Sequence, residues 1–257
     1  MIRVIDRWLL TSGQFFFRFR NALFPLMLGA LVLFARPDLW GGSRALDFWI
    51  TAGGVTIALI GQAFRLLVIG YAYIKRGGKN REVFANELVT RGFYAHLRNP
   101  MYVGNFLIIV GLTFLYGSVW VACVTIPLFA WIYLAIVTAE EAFLGKKFGE
   151  AFVRYERKVN RFIPTFKGLR SSLAEFRYDW RRALVKEYNT LVFALASIIG
   201  LLAWKISYIY GFESHRTGVI ALLLGLIPLA LFYLSVRFLK KTHRLKPARK
   251  AESEKAF

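Results

Sequence analysis

The chain has 257 residues, of which 57% are apolar or aromatic and only 19% charged, with a mean hydropathy of +0.47. A soluble domain has about 45–50% apolar and about 25% charged residues, so disordered, collagen-like and disulfide-scaffold classes are excluded and the composition is that of a chain built for lipid. The net charge of +20, from 35 basic and 15 acidic residues, points to anionic lipid rather than nucleic acid, because the basic residues lie between apolar runs.

Residues 1–20 read as an amphipathic segment lying at the membrane interface. A spanning helix needs about 20 apolar residues at 1.5 Å each. Asn21–Ala35 offers 15 uncharged residues, about 22 Å, helped by Phe15–Phe17 and by snorkelling of Arg18 and Arg20. The same run has the length of a signal-peptide core, but two arginines closely precede it and no A-x-A site follows. Leu46–Ile74 is long enough and carries Arg65. Met101–Ala139 is 39 residues without a formal charge, about 58 Å of helix or two crossings; Tyr116-Gly117-Ser118 supplies the turn, which gives spans 101–116 and 119–139. From Phe143, apolar residues recur at Leu144, Phe148, Phe152, Tyr155, Val159 and Phe162, with basic residues between them. This spacing predicts an amphipathic helix on the membrane surface, stopped by Pro164. Residues 167–187 repeat the theme through Leu169, Leu173, Phe176, Trp180 and Leu184. Tyr188–Trp204 is a span that continues past Lys205 to Tyr210, and Gly218–Val236 is another. The tail 240–257 is polar and basic, with a disordered composition.

The charges set the topology. Lys and Arg number four in 1–20, six in 75–100, twelve in 144–187 and eight from Arg237 onward, whereas the intervening loops hold only Arg36 and Arg44, none, and Lys205 and Arg216. By the positive-inside rule the chain is an all-α polytopic bundle of about six transmembrane helices with cytoplasmic amphipathic helices and both termini cytoplasmic. The expected divisions are 1–20 interfacial segment, 21–166 membrane core, 167–187 basic linker, 188–239 appended transmembrane hairpin and 240–257 basic tail. No metal site is expected. The single Cys123 excludes an internal disulfide or a cysteine cluster, and His96, His215 and His243 form no ligand pair at helical spacing.

Ionisable groups at membrane depth mark function by default. Arg65, the segment Leu88–Gly104 and the pair Glu140-Glu141 qualify, and the 3–4 hairpin brings the last two to one level. Plainer readings stand beside this one. Arg65 and Arg98 can snorkel to phosphates, and Gly104 with Gly111 can be a helix-contact pair. Pro100 suits a first helical turn, His96 suits the surface, and Cys123 suits a packed interior. Two adjacent carboxylates at a helix C-terminus oppose the macrodipole and ask for a compensating cation.

Together these residues form a more specific pattern. L-V-T-x-G-x-Y-x-x-x-R-N-P-x-Y-x-G, from Leu88 to Gly104, is followed about 36 residues later by E-E-x-x-L-x-x-x-F-G, from Glu140 to Gly149. The pattern resembles the isoprenylcysteine carboxyl methyltransferase family and its phospholipid N-methyltransferase-like members. Gly61 with Arg65 is similar to the family's glycine-plus-arginine feature, and the resemblance covers about 60–164. It implies S-adenosylmethionine (SAM) as cofactor at the cytoplasmic face. The implied cofactor contacts are Asn86, Glu87, Leu88, Val89, Tyr94, Asn99, Pro100, Met101, Tyr102, Gly104 and Glu140, with Arg98, Glu141 and Arg65 as catalytic candidates. Tyr94 and Tyr102 suit a sulfonium by cation–π contact, Arg98 a carboxylate, and Glu141 an amine acceptor. Two positions depart from the family: its R-H-P is Arg98-Asn99-Pro100 here, and its substrate-side arginine one turn before the Glu pair is Ile136. The implied function is a membrane SAM-dependent methyltransferase acting on a lipid or isoprenoid acceptor, with basic segments on anionic lipid. Three alternatives remain: an amine-lipid (phosphatidylethanolamine-type) N-methyltransferase, an NADPH-dependent membrane reductase, and a non-catalytic lipid-binding protein.

Overall fold

A computed structural model describes residues 2–71, 76–79 and 82–245 of the chain. The end of the second expected span, at Ile74, and most of the basic tail, 246–257, lie outside the described residues. The helices are α1 Ile2–Phe34, α2 Arg44–Tyr71, α3 Pro100–Tyr116, α4 Val119–Phe148, α5 Glu150–Lys158, α6 Leu169–Ala174, α7 Trp180–Tyr210, α8 Phe212–Leu224 and α9 Leu226–Lys241. A small antiparallel ribbon, β1 Arg76–Lys79 and β2 Glu82–Ala85, follows α2, with Arg76 opposite Ala85. It is a local addition to the expected all-α bundle.

Helices α2, α4 and α7, and α8 with α9 taken as one, are long and apolar enough to cross a membrane. Helix α1 bends by 88° between Arg20 and Ala22 and makes a fifth span if its halves are counted together. Helix α3 is apolar but has only 17 residues. The chain is therefore an integral membrane protein whose count reaches the expected six only with the bent α1 and the short α3 included.

The α3–α4 hairpin forms where the sequence indicates. Gly117 takes φ 82°, the left-handed conformation open to glycine at a helix end, and the Ser118 hydroxyl accepts from the Val121 N–H at 3.4 Å. Helices α2 and α3 touch through glycines. A Cβ on Gly61 would lie 2.7 Å from the Gly104 carbonyl oxygen, and one on Gly111 would lie 2.4 Å from the Gly54 oxygen. Such small-residue contacts let helix backbones meet where lipid supplies no hydrophobic drive.

Two buried ion pairs lash α7 to α2. Lys205 Nζ lies 2.7 Å from Asp47 Oδ1 and donates to the Thr51 hydroxyl at 2.7 Å. Arg65 meets Glu187 at 2.8 and 2.9 Å through Nε and Nη2. The order of partners makes the two helices antiparallel, so the 188–239 hairpin begins with a helix built into the core bundle.

Two sequence expectations need correction. The amphipathic helix expected from Phe143 to Phe162 is two helices, because Gly149, at φ 54°, breaks it between α4 and α5. Its apolar face is nonetheless buried: Leu144, Phe152, Tyr155 and Val159 close on Ala85. Cys123 faces outward from α4 instead of into the bundle.

Candidate active site

The residues before α3 are held by one carboxylate. Glu141 accepts from Arg98 Nε at 3.1 Å and from Asn99 Nδ2 at 2.9 Å, and Arg161 Nη2 lies 2.6 Å from its other oxygen. Arg98 also donates to the Glu156 carbonyl at 2.8 Å, and its backbone N–H donates to the Asn160 carbonyl at 2.9 Å. These are the cations the adjacent carboxylates required. Glu141 thus ties three chain segments together. His96 belongs to the same frame. It is buried, not at the surface as expected: Nδ1 contacts the Thr165 carbonyl at 2.7 Å and Nε2 the Ser172 hydroxyl at 2.9 Å. A carbonyl only accepts, so Nδ1 carries a proton and donates to Thr165.

Glu140, one position earlier on α4, points another way. The Tyr102 hydroxyl donates to its Oε1 at 2.5 Å and accepts from Arg20 Nη1 at 3.2 Å. The Arg20 guanidinium also sits 4.2 Å from the Phe17 ring centre. Arg65 adds a hydrogen bond to Asn105 Oδ1 beside its pair with Glu187.

Arg20, Arg65, Tyr102, Asn105, Glu140 and Glu187 border a cavity of about 770 Å³ between α1, α2, α3, α4 and α7, within the ~300–1,000 Å³ typical of small-molecule sites. Its polar end has Tyr94, Arg98, Asn99, Tyr102 and Glu140. Its far end is apolar, with Ile108, Ile109 and Leu112 on α3 facing Phe24 and Leu28 of α1 and Phe193 of α7.

Of the residues singled out in the sequence, Arg65, Tyr94, Arg98, Asn99, Met101, Tyr102 and Glu140 line this cavity. The others do not. Asn86 and Glu87 are exposed, Leu88 packs on the Ala85–Leu144 cluster, and Val89 packs beside Val68 and Phe93. Pro100 is buried in the first turn of α3. Gly104 abuts α2, where a Cβ would meet Arg65 Cγ at 2.6 Å, the close approach of a helix-contact glycine. Ile136, at the family's arginine position, is fully enclosed with Phe129, Ile132 and Tyr133.

Sequence reasoning missed Arg20, Asn105 and Glu187 in the cavity wall, together with Arg182, Lys186 and Asn189. Asn105 and Glu187 were legible only through Arg65, a buried cation that needs a counter-charge.

Residues 49–151 match the model of the phospholipid methyltransferase family. The chain is similar to a nickel-cobalt-cadmium resistance protein of Alcaligenes xylosoxydans xylosoxydans, 32% identical over 131 residues, or 51% of this chain and 59% of that protein. It is 35% identical over 127 residues to a cobalt-zinc-cadmium resistance protein of Cupriavidus metallidurans, covering 49% and 53%. It is also similar to the protein-S-isoprenylcysteine O-methyltransferase of Schizosaccharomyces pombe, 30% identical over 158 residues and 61% of each chain. The chain thus spans between about half and three fifths of the length of these relatives. No solved structure matches. Arg20 and the α7 wall lie outside the matched segment.

Proposed function

We propose that this chain, whose residues 49–151 are of the phospholipid methyltransferase family, moves a methyl group from SAM to a lipid or isoprenoid acceptor held in the cavity between α1, α2, α3, α4 and α7. The observation that carries the reading is the cavity's polarity: charged and aromatic groups gather at the N-terminal end of α3, and an apolar wall runs from there toward Leu112. SAM and an amphiphilic acceptor need such a two-ended site. The basic loops that flank the polar end support a cytoplasmic placement of the site and of both termini.

The residues present fit the cofactor. When bound, SAM supplies a sulfonium-activated methyl group that departs to a nucleophile by in-line displacement. Glu140 is placed to take an ammonium or ribose hydroxyls, and the Tyr102 hydroxyl, already bonded to it, fixes its rotamer. The rings of Tyr94, Tyr102 and Tyr133 give the cavity aromatic faces suited to a cationic sulfur. Asn99, in place of the family's histidine, keeps its amide on Glu141 and so holds the loop. Arg98, through Glu141, is a positioning residue. Little acid–base help is required, so orientation provides most of the rate.

Amine-lipid methylation is the second reading. The enclosed Ile136 removes the arginine that a carboxylate acceptor would use in the resembling family. Calorimetric titration of SAM into the purified chain is the test, with Glu140→Ala alongside. Micromolar binding that the folded variant loses is the expected result. A folded wild type that binds NADPH and not SAM, or neither, would overturn the reading. Labelled methyl transfer into total lipid then separates the acceptors, because a methyl ester is released by base and a methylated amine is not.

A further inference from the structure

We propose that Arg20 of α1 is a positioning residue for the methyl donor: through the Tyr102 hydroxyl it orients Glu140, so the polar end of the cavity is complete only when the first half of α1 is seated on α4. The inference rests on the methyl-transfer reading and goes beyond it, because Arg20 lies outside the family segment, residues 49–151.

Gly13, Phe17 and Arg20, at steps of four and three, fall on one face of α1. Each is engaged with the bundle. Gly13 lies against α4, where a Cβ would come within 2.6 Å of the Ala135 carbonyl carbon and 3.0 Å of Ala139 Cβ. Phe17 is buried in the cluster that holds Tyr102, Ile132, Tyr133 and Ile136. The Arg20 guanidinium lies 4.2 Å from the centre of the Phe17 ring and donates to the Tyr102 hydroxyl at 3.2 Å. On the other side of the helix Trp8, Phe15 and Phe19 are exposed, so the contact with α4 sets where this half of α1 sits. The 88° bend between Arg20 and Ala22 puts the arginine at the elbow, beside the polar end of the cavity.

The direction of the hydrogen bonds gives Arg20 its role. A guanidinium only donates and a carboxylate only accepts. The Tyr102 hydroxyl between them therefore accepts from Arg20 and spends its single hydrogen on Glu140. Donation to the hydroxyl oxygen also polarises the O–H and strengthens its bond to the carboxylate. The orientation of Glu140 is thus set by a relay that begins on α1, and the reacting atoms meet Glu140 and not the arginine.

SAM affinity of the full chain in detergent, measured by calorimetry with melting curves on the same samples, tests this. Arg20→Met keeps an aliphatic stem over Phe17 and removes the donor. It is expected to weaken SAM about tenfold, the scale of one charge-assisted hydrogen bond. Tyr102→Phe is expected to weaken it at least as much, and adding Arg20→Met to Tyr102→Phe should cost nothing further, because the arginine acts through the hydroxyl. Arg20→Lys keeps a charged donor and should recover most of the loss. Arg18→Met, the same charge change at an exposed position, should bind as the wild type does. Gly13→Ala is an independent lever. Gly13 is outside the cavity lining and about 10 Å of helix from Arg20, so its substitution should weaken SAM only while Arg20 is present. Wild-type affinity in a folded Arg20→Met would overturn the proposal and leave methyl transfer standing. Losses that multiply in the Arg20–Tyr102 double variant would overturn it as well, as would an undiminished Gly13→Ala effect in the Arg20→Met background. If Gly13→Ala does not fold, the Arg20 series decides alone. A folded wild type that binds no SAM would overturn the methyl-transfer reading itself, and the positioning role with it.

Discussion

Glu140 and Glu141 are neighbours in sequence, yet about 100° of helix rotation sends them to different tasks. Glu141 is enclosed by Arg98, Asn99 and Arg161, and Glu140 faces the cavity with Tyr102. Their amide variants should therefore fail differently. Glu141→Gln leaves two guanidinium groups short of a carboxylate, and breaking a buried pair costs about 3–5 kcal/mol. A large fall in melting temperature is expected in detergent. Glu140→Gln keeps the fold and should lower SAM affinity at least about tenfold, since an ionic hydrogen bond is worth about 1.5–3 kcal/mol. Matching melting curves for the two variants would contradict this division. The sequence pattern marks both residues as special but does not distinguish them, because the partners that do, Arg161 and the 156–160 backbone, return through the turn at Gly149. The burial of His96 was hidden for the same reason: its partners Thr165 and Ser172 lie 69 and 76 residues away.

Among helices, the α2–α3 contact was half legible. Gly104 and Gly111 recur at a spacing of seven, but a glycine pair on one helix does not say what it meets. The structure supplies Gly54 and Gly61, also seven apart, from α2. Adjacent glycines provide a sharp comparison. A Cβ on Gly53 would meet nothing within 4 Å, whereas one on Gly54 would lie 2.7 Å from the Gly111 oxygen and 2.8 Å from the Leu115 nitrogen. Those are backbone atoms, so the helices must separate. Gly54→Ala is expected to destabilise by about 1–3 kcal/mol, the range for overpacking. Gly53→Ala is expected to be neutral or slightly stabilising from helix propensity. Thermal unfolding of both variants in the same detergent reads the difference directly. The break between α4 and α5 was the opposite case: apolar residues at steps of three and four continue across Gly149, so periodicity alone predicts one helix where a glycine conformation makes two.

Across the whole molecule, Asp47 and Arg65 on α2 are 18 residues apart, and so are Glu187 and Lys205 on α7. Eighteen residues are about five turns and about 27 Å, so both pairs fall on one seam, separated by a distance close to the ~30 Å hydrocarbon thickness. The reversed order of charge fixes α7 as antiparallel to α2 in a single register. That spacing was present in the sequence. It went unread because Lys205 counted as a loop charge and the hairpin as an appendage. The two pairs nevertheless differ in surroundings. Asp47–Lys205 lies beside Gly117 and outside the cavity lining, whereas Arg65–Glu187 borders the cavity. Removing one member of either pair strands a buried charge, at about 3–5 kcal/mol, while replacing both by apolar side chains of similar size is often neutral or stabilising. Asp47→Leu with Lys205→Met should therefore restore the melting temperature that either single change lowers, and should leave SAM binding and methyl transfer intact. Arg65→Met with Glu187→Leu should likewise recover the fold, but it removes two charges and the Asn105 partner from the cavity wall, so methyl transfer should fall at least about tenfold, on the scale of one ionic hydrogen bond. Equal activity in the two double variants would make both pairs purely architectural and remove α7 from the chemistry.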